Sequence, residues 1–123
     1  MALIQSGGGT QGGVVLSAAQ TGNGDSTNTV QRTPGGAGAV VITSAVGATP
    51  TVTVNIQGSV DGTNFFNIPY ALVATPETLS VAAITITTAV TTTYLLRPNS
   101  PWQFLKLAYS ANTNVTLTAT AFV

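Results

Sequence analysis

The feature that most constrains the fold lies within residues 51–70, where strict alternation of apolar and polar residues is followed by a turn and a second apolar segment. Residues 51–57 alternate valine or isoleucine with threonine, asparagine or glutamine, which is typical of a strand that buries one face. The next polar segment, Asp-Gly-Thr-Asn at residues 61–64, predicts a reversal, because glycine accepts positive φ and aspartate bonds its own backbone. Phe65 and Phe66 should open the returning strand. The whole stretch therefore predicts a β-hairpin.

Short runs rich in β-branched residues recur along the rest of the chain, separated by clusters of glycine, proline, asparagine and aspartate. Threonine at this density disfavours helix, because β-branching restricts χ1 there and suits a pleated surface. The predicted strands cover residues 14–19, 27–32, 39–43, 51–57, 79–87, 88–96, 102–109 and 115–122. We predict an all-β fold, an antiparallel β-sandwich or barrel of about eight strands with jelly-roll-like character.

The first residues form a separate region. Residues 1–13 are so rich in glycine that ordering them alone costs too much backbone entropy, which predicts a flexible N-terminal arm. Residues 14–123 should form a single domain, because a chain of 123 residues can bury a core without disulfides. Leu3 and Ile4 make an apolar tip on the arm. The arm is either a frayed terminus or a segment that orders against a neighbouring subunit or another partner.

Low charge limits the possible partners. Charged residues are 5% of the chain and the formal net charge is zero, whereas ordinary domains are about a quarter charged. Nucleic acid is not expected as a partner, because no basic patch could neutralise phosphates. No apolar run approaches the length of about 18 residues that would indicate a membrane span. A net charge near zero favours association, so we expect a homo-oligomer, either a trimer or a dimer.

Few residues could do chemistry. The chain has no histidine or cysteine, and its side-chain carboxylates are Asp25, Asp61 and Glu77, each explained by a local turn or loop. We therefore expect no enzymatic activity, no catalytic residue and no cofactor. Calcium is an alternative at the oxygen-rich turns around Asp25 and Asp61, although each offers one carboxylate. The aromatic residues Phe65, Phe66, Tyr70 and Trp102 leave glycan binding open.

The corner at residues 97–102, Arg-Pro-Asn-Ser-Pro-Trp, has two interpretations. Either Trp102 plugs one end of the core, or Trp102 and Arg97 are exposed anchors of an interface, a role in which both residue types are common. The candidate partner-contact residues are therefore Leu3, Ile4, Arg97 and Trp102.

The alternating string at residues 52–66, the segment at residues 102–109 and the closing strand at residues 115–120 together carry a family likeness. Over residues 38–123 the chain resembles small virion proteins of tailed bacteriophages, most of all head decoration, or cement, proteins. The resemblance implies a dimeric or trimeric β-rich protein on the outer capsid surface of the virion, bound to the major capsid protein and lacking catalytic residues. Two alternatives stay open: a phage tail or fibre module that binds host surface glycan, and a secreted bacterial β-sandwich binding domain.

Overall fold

The computed structural model describes residues 2–5, 13–32, 38–97 and 100–123, with the backbone alone for residues 2–5. Within these ranges the chain forms one 11-stranded sheet and no helix. The strands are β1 (Ala2–Gln5), β2 (Val14–Gln20), β3 (Gly24–Asp25), β4 (Asn28–Gln31), β5 (Gly38–Ser59), β6 (Phe66–Asn67), β7 (Tyr70–Leu72), β8 (Thr75–Ser80), β9 (Ile84–Ile86), β10 (Thr91–Leu96) and β11 (Phe104–Phe122). The all-β prediction is confirmed.

The sheet is open. Its strand order is β1-β4-β11-β5-β10-β7-β8. In addition, β2 and β3 pair with β11, and β6 and β9 pair with β5. The order ends at β1 and β8, so the sheet does not close into a barrel, and the sandwich half of the prediction is the one that agrees with the structure. Among the described pairs, β1–β4 is parallel and the others are antiparallel.

Two strands far longer than the rest carry this arrangement. β5 has 22 residues and β11 has 19, whereas strands in globular proteins average about five or six. They pair antiparallel from Phe104 opposite Ser59 to Phe122 opposite Ala39. The sequence predicts two strands in each of these regions, with breaks near residues 47–50 and 111–114. That prediction is wrong, because each region forms one continuous strand.

The predicted breaks are bends within the long strands. Thr49, Ala111 and Asn114 have positive φ angles of 48°, 53° and 55°, and the register of the pair shifts between residues 110 and 115. The Asn114 side-chain amide donates to the Ala48 carbonyl at 2.6 Å, which ties the two bends together. Bulges bend a strand and increase its twist. The turn-forming residues of the two strands lie opposite each other, so the ribbon bends as a unit.

The bend folds the β5–β11 ribbon around one core. One half of the sandwich, which we call the A layer, consists of β2, residues 115–122 of β11, residues 38–44 of β5, β10, β7 and β8. The B layer comprises β1, β3, β4, residues 104–110 of β11, residues 52–59 of β5, β6 and β9. Inward-facing residues of both layers belong to a single apolar cluster, including Val40 and Ile42 from the A layer and Val54 and Ile56 from the B layer. Strands that pass between sheets through bulges are a known way to build such a sandwich.

Part of the predicted flexible arm forms a strand. Residues 2–5 form β1, which pairs in parallel with β4 of the same chain, from Ala2 opposite Asn28 to Gln5 opposite Gln31. Ladder hydrogen bonds of this kind offset some of the entropy cost of ordering the backbone. The backbone of Leu3 and Ile4 therefore lies at the β4 edge of the sheet. Residues 1 and 6–12 of the predicted arm lie outside the described residues.

The hairpin at residues 51–70 is confirmed. Strand β6 returns along β5, with Phe66 opposite Gly58 and Asn67 opposite Gln57. Gly62 has a φ of 79°, as the turn chemistry predicts, and its N–H donates to the Ser59 hydroxyl at 2.9 Å.

Gly62→Val should lower the free energy of unfolding by about 1–3 kcal/mol, because a β-branched residue is strained at positive φ. A Cβ there would also lie 3.2 Å from the ring of Phe104. Gly22→Val is the matched control, since a Cβ at Gly22 meets no atom within 4 Å. Urea unfolding of both variants measures the difference. Equal stabilities for the two variants would contradict the conformation assigned to the turn.

Candidate interaction surface

The outer side of the β2, β11, β5 and β10 part of the A layer presents an uncharged face. Strand register places Phe122, Ala39 and Leu95 in one row across β11, β5 and β10. Neighbouring rows continue the same face, which we call the A face; its residues are Val15, Ala39, Val41, Thr43, Thr91, Thr93, Leu95, Thr118, Thr120 and Phe122. All ten side chains are apolar or threonine, because each strand alternates between core and surface.

The A face is exposed enough to meet a partner. Val15 is 42% exposed and Phe122 is 46% exposed, at the β2 and β11 side of the face. Three strands about 4.8 Å apart, each contributing about five residue positions of 3.3 Å, together with Val15 of β2 give a projected area on the order of 250–300 Å². The largest apolar patch on a typical monomer is about 300–600 Å² and is often functional, and the A face, half apolar and half threonine, falls just below that size. The area is smaller than the roughly 800 Å² per partner of a standard stable interface, so a single copy of this face suits a weak contact.

The outer side of the B layer has a different chemistry. The Gln57 side chain donates to that of Asn67 at 3.0 Å. The Lys106 ammonium lies 2.9 Å from a carboxylate oxygen of Asp25 and 4.4 Å from the centroid of the Phe65 ring. These polar groups bond to one another within the chain. The A face, which carries no charged side chain, is therefore the less costly of the two to remove from water.

The two residues of the predicted corner lie in different environments. Arg97 is exposed just after β10, whereas Trp102 is partly buried and packs against the core. Close packing of the indole requires a glycine beneath it, because a Cβ at Gly58 would lie 2.8 Å from Cγ of Trp102. Pro98 and Asn99 lie outside the described residues, as do the side chains of Leu3 and Ile4.

A buried arginine that the sequence did not single out holds this corner. Arg32 is 4% exposed; its Nε donates to the Trp102 carbonyl at 2.9 Å, and its guanidinium also donates to the Ser100 hydroxyl. Burial lowers the pKa of Arg32 from its usual value. No local pattern could have revealed this role, because its partners Ser100 and Trp102 lie 68 and 70 positions further along the chain.

The four aromatic side chains that could bind glycan differ in their exposure and their contacts. Tyr70 is buried, and its ring packs edge-on against Tyr94 with the centroids 5.5 Å apart. Phe65 lies against Lys106, and Trp102 belongs to the corner described above. Phe66 is 60% exposed on β6. The structure therefore leaves Phe66 as the most exposed aromatic side chain of the four.

The three carboxylate side chains are spread over the fold. Asp25 lies on β3, Asp61 follows β5, and Glu77 is on β8. Within the described residues no three acidic side chains form a group that could hold a metal ion. The Asp61 carboxylate accepts hydrogen bonds from the backbone N–H groups of Asn64 and Thr63 and from the side chains of Ser59 and Asn64. Turn formation therefore accounts for Asp61.

These hydrogen bonds hold the pKa of Asp61 well below its ordinary value of 3.8, with the Asn64 backbone N–H the largest cause. A depressed folded-state pKa means that the ionised carboxylate stabilises the fold above about pH 4 and that this contribution is lost as pH falls further. Asp61→Asn should lower the Tm at pH 7, and the difference from the parent chain should shrink as the pH is lowered from 4 towards 2. A Tm difference that stays constant over this range, measured by calorimetry, would contradict the ionic role.

Searches against family models, curated proteins and solved structures found no match to this chain. No helix of the described residues is long and apolar enough to cross a membrane.

Proposed function

We propose that this chain is a structural binding protein that docks through the A face on the surface of a larger protein assembly, specifically the outside of a bacteriophage capsid. The observation that carries the proposal is the A face itself, an uncharged area of valine, alanine, leucine, phenylalanine and threonine on four paired strands. Such a face suits an uncharged protein surface, because apolar burial provides the attraction and the threonine hydroxyls still find partners.

The modest size of the face also supports a role in a symmetric assembly. One contact of a few hundred square ångströms is weak, but several linked copies bind far more tightly than one. A protein that binds only the assembled shell stabilises that shell by mass action. The resemblance to head decoration proteins, carried by residues 52–66, 102–109 and 115–120, supports the capsid as the assembly and the major capsid protein as the partner.

The direct experiment is co-sedimentation of the full chain with empty heads built from the major capsid protein. Thr93→Lys places a charge on the A face, and Thr53→Lys places the same charge on an equally half-buried threonine of the B layer. Thr93→Lys should weaken attachment by about tenfold or more, because the lysine must lose its water. Thr53→Lys should bind within about twofold of the parent. Equal binding by the two variants would overturn the proposal.

A phage tail or fibre module that binds host glycan is the second candidate, and the exposed ring of Phe66 is the observation that favours it. Sugar rings stack on exposed aromatic faces, so Phe66→Ala should abolish glycan binding if this role is correct. Binding of the parent chain to heads without any glycan binding favours decoration. The position of the gene beside the major capsid gene or beside tail genes provides an independent discriminator.

We expect the chain to form a homo-oligomer, with a trimer preferred on the family resemblance. A net charge of zero and a mean hydropathy of +0.39 favour association, because little electrostatic repulsion separates the copies. Light scattering at micromolar to millimolar concentrations measures the assembly state. A monomer under all these conditions, both free and when recovered from heads, would contradict the expectation.

A further inference from the structure

A second surface lies at the β8 edge of the A layer, where β7 separates it from the strands of the A face. Strand β8 ends the order of the described strands and pairs on one side, with β7. Five of its six residues are exposed, and Ser80 is half-buried. An edge strand of this kind presents backbone N–H and C=O groups that can pair with another chain.

An apolar cleft of about 290 Å³ lies beside this edge, between the A layer and β9. It is lined by Tyr70, Leu72, Thr75, Thr78, Ser80, Ile84 and Tyr94. The Tyr70 hydroxyl donates to the Ala82 carbonyl at 2.8 Å. The lining carries no charged side chain, and the two tyrosine rings and Ile84 give the cleft an apolar floor.

The pairing of β8 with β7 shifts register between Thr75 and Ser80, so regular alternation of its side chains is confined to residues 77–80. Thr78 and Ser80 line the cleft, so Glu77 and Leu79 face the opposite side of the strand. A strand added beside β8 would alternate in the same way. One of its side chains would enter the cleft, and an adjacent residue would lie on the side of Glu77.

The sequence of β8 argues against pairing with a second copy of itself. Pro76 cannot donate a ladder hydrogen bond, and antiparallel pairing of two β8 strands in the register that sets Glu77 opposite Glu77 would bring the two carboxylates close together. Proline and charge at an edge are devices that prevent self-association of sheets. The chemistry of this edge therefore points to a different chain.

We propose that β8 accepts an extended segment of a partner protein as an added strand, with an aliphatic side chain in the cleft and an adjacent basic side chain opposite Glu77. An apolar cavity of about 150 Å³ admits a benzene-sized group, so a cleft of about 290 Å³ has room for a leucine or isoleucine side chain. Strand addition gives affinity through backbone hydrogen bonds and specificity through pockets for alternate side chains. This inference depends on β8 and its cleft and not on docking of the A face.

The probe is a labelled, capped nine-residue peptide in which leucine and lysine alternate at the centre, with a twin that carries glutamate in place of lysine. Fluorescence anisotropy with the full chain should show tighter binding of the lysine peptide by about tenfold or more. Glu77→Lys should reverse this preference, because the charge that the partner meets is inverted.

Thr78→Tyr should weaken binding of the lysine peptide by about tenfold, because an uncharged ring fills the mouth of the cleft. Its matched control is Thr85→Tyr, on the exposed outer side of β9, which should bind as the parent does. Tyrosine is favoured in strands, and the melting temperature of each variant verifies its fold. Absence of saturable binding, no preference between the two peptides, or equal effects of Thr78→Tyr and Thr85→Tyr would each overturn the proposal.

Discussion

Replacing Leu107 or Leu117 by alanine should lower the free energy of unfolding by about 3–4 kcal/mol in each case. Both side chains are fully buried, and both belong to β11 on opposite sides of its bend. Leu107 packs in the B-layer half and Leu117 in the A-layer half, yet both belong to the same core cluster. Each truncation leaves a cavity in one shared core, so each should destabilise the whole domain.

Leu79→Ala is the control. This leucine is 45% exposed on β8, so its replacement should lower the free energy of unfolding by less than about 1 kcal/mol. Urea unfolding followed by circular dichroism and by tryptophan fluorescence measures all three variants. One coincident transition is expected for each, because one core unfolds cooperatively. Separate transitions for the two probes, or a loss below about 1 kcal/mol for Leu107→Ala or Leu117→Ala, would contradict the shared core.

Arg32→Met should destabilise the domain by about 2–3 kcal/mol, because it leaves the buried Ser100 hydroxyl and the partly buried Trp102 carbonyl without their charged donor. Arg97→Met makes the same chemical change at an exposed position and should stay within about 0.5 kcal/mol of the parent. Tryptophan fluorescence should also shift in Arg32→Met, because the corner that holds Trp102 loosens.

Equal stabilities of the two arginine variants in urea would contradict the role assigned to Arg32. A fluorescence shift of the same size in Arg97→Met would show that the corner depends on both arginines.

The local parts of this fold could be predicted from sequence because their causes are local. The hairpin after β5 follows from alternation and from the Asp61–Gly62 turn, whose hydrogen bonds span two or three residues. The continuous strands β5 and β11 could not be predicted in this way. Gly47, Pro50 and Asn114 are strand breakers by propensity, and they form bends here because the partner strand bends at the same level.

The interaction surface could be predicted in composition but not in position. The scarcity of charge is visible in the sequence, and alternation indicates that Val41 and Phe122 have core neighbours. Their place in one face depends on the pairing of β5 with β11, which lie far apart in the chain. Residue type alone indicates Arg97 and Trp102 as anchors, whereas Trp102 packs against the core because Gly58 leaves space for its ring.

The most direct test of the account is a cryo-electron microscopy map of decorated heads at a resolution that separates the strands. The A face should lie against the capsid shell in this map, with β2, β11, β5 and β10 in contact and the B layer outermost. Contact through the B layer, or density for this chain on the tail and none on the head, would contradict it.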